Sequence, residues 1–267
     1  MKKFFNNIKK YYKYAIRSAK AELKSEVADS YLNWLWWVIE PLSFMLIYSL
    51  IFGTIMKRGG DEFKVFVLLG LTIWEFFNRM ITGSVKLIID NRDLVTKVYL
   101  PKYILLLSKS FTYLFKMSIS FCICLLMMFV TGVDFSIYML FIIPIVIVAY
   151  LLAFGIGMIL MHFGVTLNDL ANLTTIGLKM LFYLSGVFYN IKDTFGNSAI
   201  FGKKIVDDIL LFGNPIAFCM QQTRDVTLSN MFPNFIFLGI WGIIGILLCM
   251  LGIHLIHKNE NSYAKVI

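Results

Sequence analysis

The sequence predicts an all-α polytopic membrane protein, and three observations carry that prediction. The 267-residue chain is 59% hydrophobic and only 15% charged, against about 45–50% and about 25% for a soluble domain. Its apolar residues gather into six runs, at 34–56, 65–83, 104–130, 136–162, 172–190 and 232–256, and a run of about 18 residues is enough for a spanning helix. Its basic residues crowd into two places, one before the first run and one between the second and third. Six spans leave little chain for anything else, so a single membrane domain over 1–267 is expected.

Before the first run lie Lys2, Lys3, Lys9, Lys10, Lys13, Arg17, Lys20 and Lys24. Phe4, Ile8, Tyr12, Ala15, Ala19, Leu23 and Val27 recur among them at helical spacing. Residues 1–30 therefore read as an amphipathic helix lying in the membrane interface. Its lysines favour anionic membrane lipids, so the basic charge is assigned to lipid, with no nucleic-acid partner. The first run is long enough to anchor the chain, unlike a cleaved signal peptide.

Between the second and third runs come Lys86, Arg92, Lys97 and Lys102, whereas the turn after the third, TGVDFS, has no Lys or Arg. The positive-inside rule puts both basic segments in the cytoplasm, and six spans return the C-terminus there. Lys57, Arg58 and Lys64 are then external.

Within the spans, Trp34, Trp36 and Trp37 suit the headgroup level. Glu40 is followed at once by Pro41. That carboxylate either faces protein or water inside the bilayer or sits at the interface at a helix start. Glu75 and Arg79 are four apart on one helix face beside Trp74, Phe76 and Phe77. Such a face can line a path for sugars, or hold a structural ion pair. Lys109 and Lys116 either snorkel, or the third span begins in the cytoplasm. Gly239, Gly242, Gly245 and Gly252 suit close helix packing in the last span. Residues 191–231 read as two short helices broken at Gly213, Asn214 and Pro215, dipping into the outer interface as a re-entrant gate.

No GxxxxGK[ST], G-x-S-x-G or H-E-x-x-H motif occurs. The cysteines and histidines lack metal-ligand spacing, so no metal and no catalytic residue are expected. Asp193, Asp207, Asp208 and Asp225 are too scattered for a membrane-embedded glycan-modifying enzyme. Energy for uphill transport would have to enter through a partner.

Four stretches carry a family resemblance. They are LKSEVADSYLNWLWWVIEPL with IYSLIFG, LLGLTIWEFF, NRDLVTKVYLPKYILLLS, and NDLANL…FYLSGVFYNI followed by NPIAFCMQQTRD. In this order they resemble the membrane subunits of type-2 bacterial ABC exporters, in the branch that exports lipid-linked polysaccharides such as O-antigen and teichoic acid. Asn91, Leu94, Val95, Lys97, Val98 and Pro101 match the family's third motif, while Asn33, Tyr103, Leu106, Asn168 and Gly186 depart from its usual residues.

The resemblance implies a bacterial plasma-membrane permease that forms a homodimer with two ATP-binding subunits. ATP and Mg would be bound by those subunits, and no cofactor by this chain. It implies that residues 90–103 form a coupling helix, with Asn91, Arg92, Asp93, Leu94, Val95, Lys97, Val98, Tyr99 and Pro101 meeting the ATPase. Leu94 and Val95 are expected to enter the partner's groove, so replacing both by Asp should uncouple transport and leave insertion intact. Tyr48, Trp74, Glu75, Phe77, Arg79, Tyr183 and Tyr189 are expected along the substrate path, and Asn214, Pro215, Arg224 and Asp225 at the external gate. A drug or small-lipid exporter of the same fold is the alternative.

Overall fold

The computed structural model describes residues 2–28, 31–55, 62–191, 211–260 and 263. Among the described residues every regular element is helical. Lys57, Arg58, Asp61, Asp193, Asp207 and Asp208 lie outside them, as does most of the first piece of the expected re-entrant gate.

Helix α1, Lys2–Ala28, presents Lys9, Lys10, Lys13, Arg17, Lys20 and Lys24 to the outside and buries Ala15 and Ala19. Tyr11, rather than Tyr12, packs inward; Tyr12 is exposed. The helix lies along the first half of the third long helix, Tyr103–Thr131, called α6 below. The Phe4 ring packs at 4.9 Å on Tyr103, Ser108 Oγ donates to the Ala15 carbonyl at 3.1 Å, Lys109 pairs with Glu22, and Lys116 pairs with Glu26 at 2.6 Å. The contacts advance together along both chains, so the helices run parallel. At about 1.5 Å per residue, the 29 residues of α6 outrun a hydrocarbon core of about 30 Å. Lys109 and Lys116 both find carboxylates on α1.

A left-handed Asn33, φ 50°, starts the first span. Asn tolerates that conformation better than most side chains, which accounts for Asn standing where the family prefers Gly. Helix α2, Trp36–Tyr48, follows, contains Pro41, and continues as a π-turn through Ser49–Ile55. Helix α3, Glu62–Val85, is the hub: Val65, Val67–Trp74, Phe76, Phe77, Met80 and Ile81 are all buried. It leads through Lys86 into α4, Leu87–Asp90, and α5, Arg92–Lys97. After α6 come α7, Ile142–Phe163; α8, Leu170–Leu184; α9, Pro215–Thr227; and α10, Phe235–Lys258.

Cross-helix contacts fix directions. Glu40 meets Arg79 and Gly53 meets Phe63, so α2 and α3 are antiparallel. Thr72 meets Cys124 and Gly83 meets Tyr113, so α3 and α6 are antiparallel. Phe76 meets Tyr150 and Val85 meets Gly164, so α3 and α7 are parallel. Trp74 meets Phe182, and the main chain of Phe66 meets the Val187 region through Arg224, so α8 opposes α3. Helices α7 and α10 run parallel, with Gly155 beside Leu248 and Gly252 beside Met158. With α8 included, the apolar helices α2, α3, α6, α7, α8 and α10 therefore alternate in direction along the chain.

The glycine expectation for the last span divides. A Cβ at Gly245 would lie 2.9 Å from Leu151 Cβ and one at Gly252 2.6 Å from Met158 Cβ, whereas Gly239 faces open space. Close backbone approach of this kind holds helices together where no hydrophobic effect separates lipid from protein. Among the described residues five helical stretches are long and apolar enough to cross a membrane, and α8 is a shorter apolar helix of 15 residues. The run expected at 172–190 is thus corrected: its helix stops at Leu184. Gly186 adopts φ 68°, a left-handed value that ends helices, although the apolar sequence continues.

Candidate functional site

The three expected groups of residues occupy the two ends and the flank of α3. At one end, α5 is a single short helix closed by the chain turning extended at Val98, φ −127° and ψ 130°. Pro101 in turn keeps its neighbour Leu100 out of the helical region, so no helix resumes before Tyr103. Asn91 Nδ2 donates to the Leu87 carbonyl at 2.8 Å and steadies the α4–α5 corner. Arg92, Asp93 and Lys97 are exposed, and Asp93 and Lys97 form a loose pair at 3.5 Å.

The apolar surface of this segment is not the expected one. Val95 is buried at 5% exposure in the chain's own core, and Leu94 is half-buried against it. Val98 and Tyr99 face outward instead, at 51% and 69% exposure. A carboxylate at position 95 would therefore damage the fold itself, and the paired Leu94 and Val95 substitution does not isolate docking. Leu100 and Pro101 are buried. Lys102 donates from Nζ to the Leu100 carbonyl at 3.2 Å, and burial pushes its ammonium below its usual range while Glu260 opposes the shift.

Two departures from the family pattern gain partners. Tyr103 packs on Phe4 with the rings tilted and accepts a 2.7 Å hydrogen bond from Asn7 Nδ2, so it docks α1. Leu106 is fully buried, in contact with Gly157.

On the flank, Arg79 Nη2 reaches Glu40 Oε1 at 2.7 Å and Arg79 Nε reaches Glu75 Oε2 at 3.3 Å. Glu40 thus faces protein, and one guanidinium ties α2 to α3 between two carboxylates. The triad borders a pocket also lined by Trp37, Phe44 and Lys116. The ion pair is part-exposed at the rim of this pocket.

Further along, Tyr48 packs at 4.2 Å on Phe188, which stacks on Phe52 at 4.9 Å. Phe182 touches Tyr48, Trp74 and Phe188. Trp74 and Phe77 are each 4% exposed and form the wall behind this cluster instead of an open surface. Tyr183 is exposed at 67%, and Tyr189 donates from its hydroxyl to the Tyr183 carbonyl at 2.7 Å. Phe52, Phe182 and Phe188 were not signalled by the sequence, because they come from three separate segments.

At the other end of α3, α9 is almost wholly buried within the protein. Asn214 caps it, accepting from the Ile216 and Ala217 amides at 3.1 and 3.3 Å, with Pro215 in the first turn. Asn214 Nδ2 also donates to Ser185 Oγ at 2.9 Å, tying α9 to the end of α8. Asp225 accepts from Gln221 at 2.8 Å and from Gln222 at 3.3 Å. Arg224 is buried, and its guanidinium donates to main-chain carbonyls of α3 and of the turn after α8. Among the described residues no group of His, Cys, Asp and Glu is placed to hold a metal ion.

The pattern of an ABC-2 type transporter matches residues 16–201. Among curated proteins, the O-antigen export system permease protein RfbA of Klebsiella pneumoniae is 24% identical over 247 residues, 92% of each chain. A protein of the same name from Myxococcus xanthus is 27% identical over 223 residues, 82% of each chain.

Proposed function

The chain belongs to the ABC-2 type transporter family, whose pattern matches more than half of it, and from that premise we propose that it is the membrane subunit of an ATP-driven exporter of lipid-linked cell-surface polysaccharide, with O-antigen as the substrate class. Relatives bearing that name along nearly the whole chain carry this reading. Two copies would enclose the path, and two ATP-binding subunits, holding ATP and Mg, would dock on residues 90–103. The alternating helix directions support six crossings of the plasma membrane with both termini in the cytoplasm.

In this reading, closure of the ATPase pair pushes on α5 and on Val98 and Tyr99. The push passes along α3, which shifts between two packed arrangements. The aromatic cluster of Tyr48, Phe182 and Phe188 and the triad of Glu40, Glu75 and Arg79 flank the path. Helix α9, with Asn214, Pro215, Arg224 and Asp225, stands at its exit.

The test is co-purification of the chain with the ATP-binding subunit encoded beside it, paired with deletion of its gene. A stable complex and loss of surface glycan, with lipid-linked glycan accumulating inside, are the expected outcomes. Absence of both would overturn the proposal, and loss of drug export with normal surface glycan would favour a small-molecule exporter.

A further inference from the structure

Arg224 is buried without an acidic residue at ion-pair distance among the described residues. Its guanidinium instead donates to three main-chain carbonyls: Nε to Phe66 at 3.1 Å, Nη1 to Gly186 at 2.8 Å and Nη2 to Val187 at 2.8 Å. Its Cζ lies 3.5 Å from the centroid of the Phe66 ring. A buried charge needs compensation, and here carbonyl dipoles and a ring face supply it. Three segments distant in sequence thereby meet on one side chain: α9, the outer part of α3 and the turn after α8.

Two glycines make the arrangement possible. A Cβ at Gly70 would overlap Arg224 Nη2. Gly186 holds φ 68°, which L side chains rarely adopt, and its carbonyl accepts from Nη1. Gly70 belongs to the LLGLTIWEFF stretch and Arg224 to NPIAFCMQQTRD, so two stretches that look unrelated in sequence serve one contact. At its far end α3 passes through Lys86 alone into α4 and then α5. One helix therefore joins the exposed docking segment to the arginine.

We propose that Arg224 is a positioning residue that latches α9 closed against α3, and that its three carbonyl bonds break and re-form as α3 moves. The latch deepens the exporter reading and rests on α9 standing at the exit. A planar guanidinium suits the task, since its fixed fork engages several acceptors at once and a lysine ammonium cannot reproduce that geometry.

The test uses the permease with its ATP-binding subunit in proteoliposomes loaded with a small dye. Arg224→Ala and Arg224→Lys should raise dye leak about tenfold or more, the change that ~1.4 kcal/mol makes in an equilibrium, with the ATP-binding subunit still bound. Gly70→Ala should also leak, because the added methyl displaces the guanidinium. Combined with Arg224→Ala, or with Arg224→Lys where the alanine variant does not assemble, Gly70→Ala should add nothing, a non-additivity that marks direct contact. Tight vesicles with Arg224→Lys, or additive leak in the combined variants, would overturn the latch. A wild-type complex that moves no glycan would instead remove the exporter reading, while the leak comparison still reads the contact.

Discussion

In the proposed topology α3 leads at its inner end into a segment whose large side chains Val98 and Tyr99 stand 51% and 69% exposed. At its outer end it meets α9, where every residue from Ile216 to Arg224 is buried and the polar ones bond within the chain. The inner segment is short, hydrogen-bonded mainly to itself, and ends in an extended stretch. The outer helix is capped, stapled to α8 by Asn214 and held to α3 by Arg224. In the proposed topology the difference follows from surroundings: polar backbone within the membrane must find all its partners inside the protein, whereas a segment in water can leave apolar groups open for a partner. A surface finished by the chain itself is suited to sealing; an unfinished one is suited to docking.

The sharpest way to break that comparison is to place a charge on each kind of site within the docking segment. Val95→Asp should abolish the folded, monodisperse protein in detergent, since an unpaired buried carboxylate costs more than about 4 kcal/mol in the worst cases. Val98→Asp, three residues away, should purify normally and lose the ATP-binding subunit in a pull-down. Equal behaviour of the two variants would remove the distinction between buried and offered side chains.

Next in size is Arg79→Met, which leaves Glu40 and Glu75 facing each other without a cation. Because the triad is part-exposed, a loss of about 1–3 kcal/mol is expected, below that of a fully buried pair, seen as a lowered Tm. Glu75→Gln should lower Tm less, since Glu40 still pairs with Arg79. Asn214→Ala removes the α9 cap and should cost about 1 kcal/mol, measurable as a smaller fall in Tm, with hydrogen exchange rising first in α9. Lys97→Ala, which opens only an exposed pair, should leave Tm unchanged; a clear fall would show that α5 is more tightly held than its exposure implies.

Much of this arrangement was legible. Apolar runs placed the long helices to within a few residues, and Pro101 with the surrounding charges marked the segment between the second and third. Helical periodicity announced α1, though it assigned Tyr12 to the buried face where Tyr11 belongs. Three features were not legible. The orientation of Val95 was hidden because a six-residue helix, Arg92–Lys97, is too short to display a face. The end of α8 was hidden because SGVFYN remains apolar while its backbone turns at Gly186. The roles of Gly70, Tyr103, Phe182 and Phe188 depend on contacts with distant segments, which spacing along one helix cannot reveal.

The central claim, that the exposed end of the α3 unit receives an ATP-binding subunit while the sealed end does not, has a direct test. A photoreactive amino acid placed at position 99 and, in a second variant, at exposed Asn230 beyond α9 would be irradiated in intact membranes. Position 99 should capture an ATP-binding subunit identifiable by mass spectrometry, and position 230 should not. No such adduct at 99, or the same adduct at 230, would contradict the account.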